Sequence, residues 1–203
     1  GATEILSIHV SASLSAILDQ ARAAAQAIDT ISITVFDGRQ LTLGTGYSVL
    51  KAAELAAEGK SIEQIVPVLE DQSKRTYVLA VADTLEYLRR SGRVSGLVSG
   101  LGNLLRIKPL LKMNDGTAAS EKIRSQRQAV ERLIELVHGL GLLERLDLVH
   151  TNALEQANAL YARIKHLCPA TQPPLTVRVT SVIGAHVGPG CFGVACIQAP
   201  GAP

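Results

Sequence analysis

Apolar positions along the chain fall into two rhythms. Residues 4–10 (EILSIHV) form a short, mostly apolar run that suits a buried strand, and residues 31–36 (ISITVF) form another. Between them Leu14, Ile17, Leu18, Ala21, Ala25 and Ile28 recur at helical spacing over residues 12–28. Strand, helix and strand at this spacing predict a βαβ unit, with a parallel pair and a right-handed crossover. An Ala-rich helix is predicted over 48–58 and stopped by Gly59. Ser61, with Gln64 three residues on, is a capping-box signature for the next helix, which turns Ile62, Ile65, Val66 and Leu69 to one side. Pro67 interrupts that pattern, and an interior proline costs a helix ~3 kcal/mol.

From Tyr77 the pattern changes. Residues 77–81 read as a strand, Asp83 as the cap of a helix ending at Gly92, and Leu97, Val98, Leu101, Leu104 and Leu105 as one face of the next helix. Asn114-Asp115-Gly116 predicts a tight turn after the stretch 108–113. A helix is expected over about 125–140, a strand over 146–149, and a helix through Leu154, Ala157, Leu160, Tyr161 and Ile164. Residues 169–174 read as a loop, and residues 177–183 and 192–197 as strands around a glycine-rich turn. The fold class is α/β in two domains, a parallel-sheet domain over 1–68 and a mixed α/β domain over 69–203. Parallel strands of interior character are normally flanked by other strands, and a parallel pair alone is too small to be stable. The expectation is that 4–10 or 31–36 carries an unpaired edge or an exposed apolar face.

Composition then removes several classes of function. Hydrophobic residues make up 47% and charged residues 19%, enough for a packed core and too apolar for a disordered chain. The net charge of +2 and the 3% aromatic content leave neither a basic track nor a stacking platform, which argues against nucleic acid. Apolar stretches break well before the ~20 residues a membrane span needs, and no secretory pattern opens the sequence. Cys168, Cys191 and Cys196 form no CxxC and read as thiols of a reducing compartment, so a cytoplasmic location is expected.

Two segments could hold an anion. Ser11-Ala12-Ser13-Leu14-Ser15 lies where a strand gives way to a helix, where amide N–H groups and the helix dipole favour negative charge. A hydroxyl there is also an ordinary helix cap. Gly184-Ala185-His186-Val187-Gly188-Pro189-Gly190 places a histidine among three glycines, which allow close backbone approach to a ligand; it is equally readable as a hairpin turn. His9 and His150 sit in or at the end of strand patterns and read as satisfied core residues. Ser91-Gly92-Arg93-Val94-Ser95 and Arg124 offer cations near helix starts. GxSxG, HExxH, GxxxxGK[ST] and a helix-opening GxGxxG are all missing, and no metal-ligand spacing occurs.

The order of these segments resembles the bacterial DegV family. The pattern ISSxLSGTYxxA is matched by HVSASLSAILDQA, and an aspartate followed by glycines by Asp37 and Leu43-Gly44-Thr45-Gly46. LxxLxxxGRI is matched by LEYLRRSGRV (85–94), GxLLxIKPxL by GNLLRIKPLL (102–111), EKxR by residues 121–124, and GxHxGxG by residues 184–190. The resemblance implies a non-enzymatic carrier that holds a long-chain fatty acid, such as palmitate or stearate, in an interdomain tunnel without a cofactor or metal. It places the carboxylate at Ser15 and His186, with Ser11, Gly188 and Gly190 nearby. It gives Arg93 and Arg124 to work with the ATP-binding subunit of a fatty acid kinase, which phosphorylates the bound carboxylate. The chain departs from LSGT with Leu14-Ser15-Ala16-Ile17. It also begins after the family's TDS and TSQP motifs, so a longer natural product is expected. The alternatives are a small-molecule enzyme using His186 with the Ser11 and Ser15 cluster, and an interaction module without a ligand.

Overall fold

The computed structural model describes residues 2–92, 107–170 and 173–202. The chain opens with β1 (Glu4–His9), α1 (Ile17–Gln26) and β2 (Ser32–Asp37), the expected βαβ, with β1 and β2 in parallel register from Glu4↔Ser32 to His9↔Asp37. The helices α2 (Thr42–Ala57) and α3 (Ile62–Lys74) pack on one face of the pair and bury Phe36, Ala52, Ile65 and Leu69. The capping box forms as predicted, with the Ser61 N–H donating to Gln64 Oε1 at 3.1 Å. Pro67 stands inside α3 without ending it, because burial of Ile65 and Leu69 on either side outweighs one lost backbone bond. The domain boundary expected after residue 68 falls inside this helix, and the second sheet begins at Thr76. Among the described residues β1 and β2 pair only with each other, leaving an open outer edge on each and Ile5 exposed, as anticipated.

The second unit is a mixed sheet of six strands: β3 (Thr76–Val81), β4 (Lys108–Asn114), β5 (Thr117–Ile123), β6 (Leu143–His150), β7 (Thr176–Arg178) and β8 (Phe192–Gln198). Their order is β5-β4-β3-β8-β6-β7, antiparallel except for the β6–β7 pair. The Asn114-Asp115-Gly116 turn joins β4 to β5 with both Asp115 (φ 41°) and Gly116 (φ 78°) left-handed, the geometry that suits a two-residue hairpin. Between the strands lie α4 (Glu86–Arg90), α5 (Gln126–Gly139), α6 (Leu154–Ile164) and α7 (Ser181–Val187). The α5 and α6 helices cover one face, burying Leu79, Val81, Leu110, Leu133, Leu148 and Leu160.

Strand alternation sends a different set of residues to the opposite face. Val78, Ala80, Met113, Gly193 and Ala195 lie there, and several of them are small. Gly193 has no room for a side chain, since a Cβ would stand 2.0 Å from Leu79 O on the neighbouring strand. This face looks toward the first unit, and polar joints connect the two. The Tyr47 hydroxyl on α2 donates to Asp147 Oδ2 on β6 at 2.8 Å, and Gln40 Nε2 donates to Thr76 O at 2.7 Å. Arg39 pairs with Asp115 at 3.0 Å.

Three expectations are corrected. Residues 177–183 are not one strand: β7 ends at Arg178 and α7 begins at Ser181. The helix α2 starts at Thr42 rather than at residue 48. Its first turns contain Gly44 and Gly46, whose poor helix propensity hid them. At α4 it is the Thr84 hydroxyl, not Asp83, that accepts the Glu86 N–H (3.1 Å), while Asp83 pairs with Lys108. The helix expected from Leu97 to Leu105 lies outside the described residues.

Candidate functional site

A cavity of about 230 Å³ lies between the first unit, the small-residue face of the six-stranded sheet, and the helices α4 and α7. Its wall is almost wholly apolar. The sheet supplies Val78, Ala80, Met113, Ala118 and Val149, and the first unit supplies Val10, Leu14 and Leu41. Leu88 of α4 and Val182, Ile183 and Val187 of α7 close another side. Ala80 of β3 leaves space there that a larger residue would fill. Cys191 also contributes to the wall, and burial pushes its thiol up to about 12, so it is a neutral apolar group there and not a thiolate.

Five polar side chains line this cavity: Ser15, Thr42, His150, Thr151 and His186. Lys112 also borders it, but through its main chain. It alternates with Leu111 and Met113, and its ammonium turns to the opposite face, 2.9 Å from Glu121 Oε1. Ser15 follows the tight turn of residues 11–14 and precedes α1, its hydroxyl 3.3 Å from the Ile17 N–H. Thr42 opens α2 at φ 47°, an uncommon conformation for a β-branched residue. His186 lies in the last turn of α7, so the histidine of the glycine-rich segment sits on a helix and not in a hairpin. The resemblance implied Ser15 and His186 for the carboxylate, and both line this cavity.

The other nominated residues stand apart from it. Ser11 is buried outside the cavity wall, its hydroxyl 2.9 Å from that of Ser13 and its N–H donating to Gln40 O at 2.9 Å. Gly188 and Gly190 shape the turn behind His186. Gly188 (φ 78°) is packed under the Tyr87 ring, where a Cβ would approach to 2.2 Å. Gly190 (φ 81°) donates its N–H to Thr151 O at 2.8 Å. Arg124 is exposed just beyond β5 and away from the cavity wall. Arg93 lies outside the described residues.

Thr42 and Thr151 were not singled out in the sequence, and His150 read as a satisfied core residue. His150 and Thr151 follow the end of β6, and strand ends are where open α/β sheets bind ligands. That rule singled out residues 11–15 and would have found these two as well. Thr151 is a clamp: its hydroxyl donates to Gly188 O at 2.6 Å and accepts the Cys191 N–H at 2.9 Å. Among the described residues, no group of three or more His, Cys, Asp or Glu side chains gathers as for a metal. No described helix is long and apolar enough to cross a membrane.

This arrangement defines a class, a two-unit α/β protein built around an apolar chamber with hydroxyls and imidazoles in its wall. The chain belongs to the DegV family, whose model, described as an uncharacterised protein family, matches residues 1–199. A DegV domain-containing protein of Deinococcus radiodurans is 37% identical over 201 residues, covering 96% of this chain and 70% of that one. Among solved structures, DegV of Bacillus subtilis, described as a fatty acid binding protein, superposes with a TM-score of 0.84 at 32% identity, over 96% of this chain and 71% of that one. A DegV family protein from Thermus thermophilus, described by its fatty acid binding, superposes at 0.85 with 29% identity, over 98% of this chain and 72% of that one.

Proposed function

We propose that this protein binds a long-chain fatty acid in the cavity between its two units and presents the carboxylate to a kinase partner. The observation that carries this reading is an almost wholly apolar chamber whose few polar side chains include both Ser15 and His186. A hydroxyl and an imidazole can each donate to a carboxylate, while the walls take the alkyl chain out of water. The fatty acid binding ascribed to the relatives from Bacillus subtilis and Thermus thermophilus supports the ligand class. In this reading the protein is a cytoplasmic carrier without a cofactor, and the kinase subunit supplies ATP.

Gentle extraction of the purified protein followed by mass spectrometry tests the first half. A co-purified fatty acid of palmitate or stearate length is expected, and added fatty acids should bind about fourfold tighter per methylene until the chamber is full. Turnover of a small ester with no retained lipid would instead mark an enzyme. For the second half, Arg93 and Arg124 are proposed to serve the kinase step, since a guanidinium can hold phosphate or carboxylate bidentately. Arg124→Ala should keep its lipid and slow phosphorylation of the bound acid. An Arg124→Ala protein that loses its lipid would make Arg124 a ligand contact instead.

A further inference from the structure

We infer that His150 holds the polar end of the ligand through its Nε2–H, as a second imidazole acting with His186. This inference rests on the fatty-acid reading above and names a contact that the sequence did not suggest. His150 ends β6, is 8% exposed and lines the cavity. Its Nδ1 accepts the N–H of Ala153 at 3.2 Å, at the start of α6. In the neutral ring that bond leaves Nε2 as the protonated, donating nitrogen. Among the described residues, Nε2 has no hydrogen-bond partner. A donor held at the wall of an apolar chamber without an acceptor is destabilising, and a ligand oxygen would relieve it.

The surrounding bonds tie together the segments that carry the two imidazoles. Thr151, next in the chain, donates its N–H to Cys191 O at 2.7 Å and its hydroxyl to Gly188 O at 2.6 Å. These bonds fasten the end of β6 to the turn behind His186. The Val179 N–H donates to His150 O at 3.0 Å, which ties the same residue to the approach of α7. Two other polar groups nearby are committed elsewhere. The Thr151 hydroxyl is spent on the turn, and the Lys112 ammonium faces Glu121 on the far side of the sheet. A carboxylate accepts up to about four hydrogen bonds, so His150 adds to the donors at Ser15 and His186 without displacing them.

Because His150 also caps α6 through Nδ1, the test must separate its two nitrogens. His150→Asn keeps an acceptor within reach of the Ala153 N–H and removes the Nε2 donor. His150→Gln extends an amide N–H toward the chamber. Dissociation constants are measured for palmitate and for methyl palmitate, with His186→Ala alongside and thermal midpoints recorded. His150→Asn should unfold at the wild-type midpoint, weaken palmitate by about tenfold and leave methyl palmitate little changed. His150→Gln should recover part of the loss. Wild-type palmitate affinity in His150→Asn, beside a clear loss in His186→Ala, overturns the role of His150 and leaves the carboxylate reading standing. Equal losses for acid and ester with a lowered midpoint overturn it too, by showing a structural role. Wild-type palmitate affinity in His186→Ala defeats the carboxylate reading itself, and the inference with it.

Discussion

Ser15 and His186 reach the cavity wall from opposite units, one from the turn ahead of α1 and the other from the last turn of α7. A carboxylate held between them exchanges water for fixed donors, so losing either donor leaves part of its charge unmet in an apolar place. Ser15→Ala and His186→Ala should each weaken fatty-acid binding by about 1–3 kcal/mol, the usual range for a hydrogen bond to a charged group. Titration calorimetry with a soluble medium-chain acid reads this directly, and two variants at wild-type affinity would remove the assignment. Both were singled out through the resemblance; by the residues alone, a serine cap and a glycine-rich turn explained them as well. His150 was not, because a histidine at a strand end looks the same whether its second nitrogen meets protein or an empty chamber. Nor was Thr42, whose left-handed φ is set by the turn from β2 into α2 and leaves no mark in periodicity.

At the scale of elements, the patterns that succeeded were those with a repeating period or a reciprocal local bond. The helix predicted at Leu154, the capping box at Ser61 and the Asp115-Gly116 hairpin all formed. The failures were short pieces whose state is decided by neighbours far along the chain. α7 is only seven residues long, its first three residues read as the end of a strand and the rest as a glycine-rich turn, and it is helical where it packs beside α4, with Gly188 beneath Tyr87. The β4–β5 hairpin is bound to α5 by one acidic residue: Glu121 receives Arg132 at 3.0 Å and Lys112 at 2.9 Å. Arg132 first, then Lys112, hold the Glu121 carboxyl below its ordinary value of 4.5. A carboxylate with a depressed folded value adds stability that is present above the unfolded value and fades as pH falls through the folded one. Glu121→Gln should therefore lower the thermal midpoint near neutrality, modestly because the ion pair is partly exposed. The gap to wild type should close as pH falls from neutrality through the carboxylate range. A constant gap across that window would show that Glu121 acts through packing and not through charge.

The whole molecule has a feature that no single element contains. Its chamber exists only while the first unit is seated on the small-residue face of the second sheet, and the two are joined by few polar bonds. A parallel first part and a mixed second part were readable from the change of pattern at Tyr77. The chamber was not, because its wall is gathered from the far faces of strands and helices distant in sequence. A buried joint is at Asp147, 2% exposed, which accepts the Tyr47 hydroxyl at 2.8 Å, Arg145 Nε at 2.7 Å and the Leu175 N–H at 2.8 Å. Arg145 also lies over the Tyr47 ring at 4.8 Å. Burial, reinforced by the Asp147 carboxylate, pushes the Tyr47 phenol far up, so it remains a donor at any physiological pH. Tyr47→Phe keeps the ring and its packing but removes the one bond at Asp147 that crosses between the units. Asp147 keeps two donors within its own unit, so the second sheet should stay folded while the seating weakens by about 1.5–3 kcal/mol. A fatty acid bound in the chamber would touch both units and so favour the seated arrangement, which saturating fatty acid should restore by mass action. The expected outcome is a lower thermal midpoint without ligand, a larger ligand-induced rise than in wild type, and faster fatty-acid release. If Tyr47→Phe lowers the midpoint with and without ligand by the same amount and leaves release unchanged, the joint stabilises the fold alone and does not guard the chamber.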